Sequence, residues 1–70
     1  MIYAVFGRRW RERGGRSERE PSSVIVRGAS GAEDAKHIAK KSKGLGDIWR
    51  VLLLRDGEWE EIEDVEIKSG

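Results

Sequence analysis

Two adjacent glycines, Gly14-Gly15, separate stretches that match each other when the chain is folded back between them. Such a pair supplies the positive φ angles that two-residue hairpin turns require. Upstream, Ile2–Phe6 is rich in β-formers. Downstream, Ser22–Arg27 contains Val24-Ile25-Val26, and both stretches read as strands. A turn at the glycines sets Val5 opposite Val24 and Ala4 opposite Ile25, then Arg11 opposite Glu18 and Arg9 opposite Glu20. Opposite charges on facing strands support that register by about 0.2–1 kcal/mol per pair. Pro21 must then lie on an edge or in a bulge, because it cannot donate to the ladder. The same composition also describes a mobile Arg/Gly/Ser loop over residues 8–21, and the residues alone leave the two open.

A helix signal follows. Ser30 stands three residues before Glu33 in a capping-box pattern, and Ala32, Ala35, Ile38 and Ala39 recur at helical spacing. Lys40, Lys41 and Lys43 suit the negative end of the helix dipole, and Gly44 suits a left-handed stop. The pattern predicts a helix over Gly31–Ser42, whose alanine stripe packs close to a sheet. Ile48–Arg55 then reads as a central strand, apolar on both faces: Ile48, Leu52 and Leu54 on one, Trp49, Val51 and Leu53 on the other. Asp56-Gly57 is a hairpin signal leading to Trp59. Trp59, Val65 and Ile67 share a parity that Ile62 breaks. A bulge near Glu60–Asp64 reconciles them as a strand, the reading preferred here, while the spacing Trp59, Ile62, Val65 also fits a helical turn.

The expected architecture is therefore α+β, with order β-β-α-β-β: one helix packed on a four-stranded antiparallel sheet. It forms a single domain over residues 1–70, with a basic hairpin or loop at residues 8–21. One helix covers one sheet face. The other face would expose some of Tyr3, Val5, Ile25, Trp49 and Val51, depending on register, unless the tail covers it. Such faces commonly form a dimer interface or a partner site.

Charge is strongly segregated. Residues 8–20 hold six arginines and three glutamates, residues 56–66 hold seven acidic groups and no base, and the net charge is only +1. A separation of this kind steers charged partners. The chain has no cysteine, which removes disulfides and thiolate metal sites and fits a reducing, cytoplasmic location in a host cell. Its longest apolar run, Val51–Leu54, is far short of the roughly 18 residues of a membrane helix. Met1–Phe6 has no charged leader, so neither signal peptide nor membrane anchor is expected.

The leading candidate site is Arg8, Arg9, Arg11, Arg13, Arg16 and Arg19 with Trp10 among them. Arginine pairs bidentately with phosphate or carboxylate, and a neighbouring tryptophan can stack on a base. A solvated surface explains a charge run too. Lys36, Lys40 and Lys43, spaced to share one helix face, would extend the basic surface beside Lys41. The acidic run is read first as charge that protects an edge strand, next as a carboxylate row for a basic partner, and last as a metal site. His37 is the sole histidine and has no catalytic partner in sequence. No enzyme activity, cofactor or metal is expected.

Several segments together resemble a known family. A strand at the start, Ser17-Glu18-Arg19-Glu20 before a second strand, Ala35-Lys36-His37-Ile38-Ala39-Lys40-Lys41 on the helix, and Gly57-Glu58-Trp59 resemble small phage-encoded anti-CRISPR proteins. The family in question is the ninth of the type I-F inhibitors. The resemblance spans most of residues 2–59 with one-residue offsets before the helix and before Asp56-Gly57. The strand sequences differ, and the arginine density is greater here. It implies one helix on a curved antiparallel sheet, and binding to the backbone subunits of the CRISPR surveillance complex that keeps target DNA from the guide. It also implies some non-specific DNA association. Lys36, Lys40 and the basic first hairpin would be the partner contacts. The expected function is a non-catalytic inhibitor or adaptor docked on a nucleic-acid-handling complex. Alternatives are sequence-tolerant nucleic-acid binding and a structural module that forms a homodimer through the open sheet face.

Overall fold

The computed structural model describes residues 1–64. Strands β1 (Ile2–Arg13) and β2 (Arg16–Arg27), helix α1 (Ala32–Lys43), and strands β3 (Gly46–Arg55) and β4 (Glu58–Asp64) follow in that order. All four strands join one antiparallel sheet ordered β2-β1-β3-β4, so the α+β architecture is the one expected.

Residues 8–21 are strand and turn, not a loop. Gly14 and Gly15 take φ values of 61° and 78°, and the β1–β2 register is the one that the sequence implies, with Val5 on Val24 and Arg9 on Glu20. Pro21 is tolerated because β2 is an edge strand. The second hairpin turns through Asp56 and Gly57, at φ 52° and 78°.

The helix starts and stops one residue later than expected, and the capping box does not form. Gly31 is the N-cap and offers no side chain. The Asp34 carboxylate instead accepts from the Ser30 N–H at 2.9 Å and from its hydroxyl at 3.3 Å. Glu33 is left for another partner. At the other end Gly44 adopts φ 68°, and the Leu45 N–H donates to the Ala39 carbonyl at 3.1 Å. That turn drives Leu45 into the core, where 2 % of it is exposed.

The core lies between α1 and one sheet face: Tyr3, Val5, Val26, Ala29, Ala35, Ala39, Leu45, Val51 and Leu53. Tyr3, Val5 and Val51 are thus buried, and they do not belong to the open face as the sequence allowed. The β3 alternation is also corrected. Phe6 pairs with Arg50 but Arg8 pairs with Gly46, so β3 carries extra residues opposite Gly7. This irregularity rotates Ile48 into the helix-side core, while Trp49 meets Phe6 with ring centroids 5.8 Å apart. Strand alternation places Ile2, Ala4, Phe6, Ile25, Leu52, Leu54 and Trp59 with Trp49 on the opposite face. Ile25 and Trp59 are about half exposed there.

In β4, Val51 pairs with Glu63 and Leu52 with Glu61, leaving Ile62 as the extra residue of a bulge. The strand reading is therefore correct through Asp64. Val65 and Ile67 lie outside the described residues.

Candidate nucleic-acid interface

From Arg9 to Glu20, β1 and β2 pair only with each other, because the last β3 partner of β1 is Arg8. This half of the hairpin is a two-stranded ribbon that continues past the sheet. Alternation puts Arg9, Arg11 and Arg13 on one side with Glu18 and Glu20. Arg8, Trp10 and Glu12 take the other side with Arg19 and Pro21.

The register was legible, but the ion pairs run diagonally. Arg11 and Arg13 both reach Glu20, at 3.3 and 3.2 Å, where direct opposition would match Arg11 with Glu18 and Arg9 with Glu20. Long side chains span the diagonal readily. Exposed pairs like these are worth about 1 kcal/mol at most. Arg19 meets the Asp47 carboxylate, and its guanidinium carbon lies 5.7 Å from the centroid of the Trp10 ring. Arg8, Arg9 and Arg16 make no ion pair among the described residues. Trp10 is 66 % exposed, and a depression of about 280 Å³ beside it is lined by Arg9, Arg11, Glu20, Pro21 and Ser22.

The helix lysines separate into two kinds. Lys36 is not an open contact: its Nζ lies 2.9 Å from Glu33 and 3.0 Å from Glu63, and only 19 % of its side chain is exposed. The hydrogen bond to Glu33, then that to Glu63, raises its pKa above the ordinary lysine value despite a desolvation cost. It ties α1 to β4. Sequence reasoning missed this because Glu63 is 27 residues away. Lys40, Lys41 and Lys43 remain exposed, without ion pairs among the described residues. His37 is exposed beside Lys36 and Lys40 in an open hollow that Asp47 also borders.

Three acids of the acidic run are matched within the fold. Glu60 pairs with Arg55 at 3.4 Å, Glu61 with Arg50 at 2.8 Å and Glu63 with Lys36. These three lie on β4, an edge strand, as the structural reading of those acids expects. Arg8, Arg9, Arg16 and Arg27 and the helix lysines Lys40, Lys41 and Lys43 make no ion pair among the described residues, and on the ribbon Glu12 and Glu18 are likewise unpaired. Among the described residues no group of three or more His, Cys, Asp or Glu side chains could hold a metal ion, and no helix is long and apolar enough to cross a membrane.

No protein-family model, curated protein or solved structure matches the chain.

Proposed function

We propose that this protein is a non-catalytic inhibitor or adaptor that docks on a nucleic-acid-handling complex through its arginine ribbon. In its most specific form the reading is a phage-type protein that keeps target DNA out of a CRISPR surveillance complex in the cytoplasm of a host cell. The observation that carries the docking reading is Arg9 and Arg16 on a ribbon with an exposed tryptophan, and Arg8 at its root, none of which has a carboxylate partner among the described residues. Guanidinium groups left uncompensated by their own fold attract polyanions and pair bidentately with phosphate. The CRISPR target rests on the resemblance of Ser17–Glu20, Ala35–Lys41 and Gly57–Trp59 alone. Within that pattern the tied-down Lys36 supports a structural role, and Lys40 is the lysine that stays available to a partner.

The test is duplex DNA binding between about 50 and 200 mM salt, by anisotropy, for the natural protein and an Arg8/Arg9/Arg16→Ala variant. Each phosphate contact contributes about 0.9 to the slope of log affinity against log salt. The variant should lose affinity and flatten that slope by about 2–3. Arg11/Arg13→Ala should do less, since those guanidinium groups already share Glu20. Salt-insensitive binding, or equal effects of the two variants, would count against the ribbon as a phosphate contact. Unimpaired interference in cells that carry a type I-F system and express the protein would remove the CRISPR target.

A further inference from the structure

The ribbon holds one large aromatic ring that no packing demand explains. Trp10 lies beyond the part of β1 that β3 covers, and two thirds of it is exposed. Its cross-strand partner is Arg19, and the guanidinium of that residue sits over the ring. Arg19 also meets Asp47 of β3, so the group behind the ring is itself held from the sheet. A cation against an indole fixes the orientation of the ring and leaves its remaining surface to solvent. Arg8 shares the side of Trp10, two residues or about 7 Å along the strand. Arg9 borders the depression next to the ring.

This arrangement matches how proteins bind single strands: a positive groove for the backbone and an aromatic platform for a base. Bases within a duplex have both faces covered by their neighbours, so a duplex can use the arginines but not the ring. Resting on the reading above, and naming its ligand, we infer that the ribbon takes single-stranded nucleic acid, with an unpaired base stacked on Trp10 and an adjoining phosphate on Arg8. Stacking of this sort tolerates any base, so the ligand class is a strand without required sequence.

Labelled oligo-dT and oligo-U and a duplex of equal length test the inference by anisotropy at one fixed salt concentration. Tighter binding of either single strand than of the duplex is expected, and the two oligomers tell DNA from RNA as the source. Trp10→Ala should weaken single-strand binding about fivefold or more, a larger loss than the same variant shows on the duplex. Trp10→Phe should retain most of the affinity, which separates loss of the ring from loss of the fold. Duplex binding as tight as single-strand binding, or an inert Trp10→Ala variant, overturns the inference and leaves the arginine reading standing. Failure of all three probes to bind overturns this inference and removes the ribbon as a phosphate contact.

Discussion

Gly7 decides how closely β1 and the start of β3 can approach. A Cβ at that position would stand 2.4 Å from the Gly46 carbonyl oxygen and 3.0 Å from Leu45 Cγ. The obstruction is backbone on one side and a core side chain on the other, so neither yields cheaply. Gly7→Ala should cost about 1–3 kcal/mol, as overpacking does. In a domain of this size each kcal/mol lowers Tm by about 4–8 °C. An unchanged melting temperature would mean that the β3 irregularity opposite Gly7 is far more pliable than its geometry implies. Nothing in the sequence singles out Gly7, because the contact is made by residues some forty positions away. For the same reason the exchange of Ile48 and Trp49 between faces was not legible. Strict alternation holds only while two strands advance in step, and here they do not.

At the level of elements, Lys36 is the only ion-pair link from α1 to β4 among the described residues. Its pKa is raised in the folded state, so the stability it contributes is complete at pH values below the unfolded lysine pKa of about 10. That contribution is lost as pH rises through the higher folded value. Urea midpoints of the natural protein should accordingly fall above about pH 10 more than those of Lys36→Gln. At neutral pH the substitution itself should cost on the order of 1 kcal/mol. Parallel pH profiles for the two proteins would show that the link contributes nothing. The hairpins, by contrast, were readable from local chemistry. Gly14-Gly15 and Asp56-Gly57 supply positive φ where the turns demand it, and parity breaking at Ile62 located the β4 bulge. The helix was legible to within a residue, yet its cap was not. Ser30 can reach an acid at either of two neighbouring positions, and only the backbone path selects Asp34 over Glu33.

Over the whole molecule, the sequence shows a basic segment and an acidic one, and the fold matches part of each. Glu60, Glu61 and Glu63 of β4 find basic partners, and Arg11, Arg13 and Arg19 find carboxylates, which leaves Arg8, Arg9 and Arg16 without one among the described residues. The ribbon was legible as a candidate site from composition; which arginines stay available required the diagonal pairing onto Glu20. The sheet is asymmetric as well, with the helix on one face and Phe6, Ile25, Leu52, Leu54 and Trp59 on the other. If that second face pairs with another copy, sedimentation should show a concentration-dependent dimer that Ile25→Glu or Trp59→Glu abolishes. A strict monomer at the highest soluble concentration would rule out pairing through that face.

β1 changes character along its length. Its first half, Ile2 to Gly7, lies within the sheet, where Tyr3, Val5 and Gly7 answer to close neighbours. Its second half, Arg9 to Arg13, answers only to β2 and to solvent. Exposed positions away from caps and turns usually shift stability by no more than about 0.5 kcal/mol when replaced. One continuous strand therefore separates two kinds of inheritance. The half that makes the protein fold is locked by its surroundings, and the half that reaches past the sheet is free to drift without endangering the scaffold that presents it.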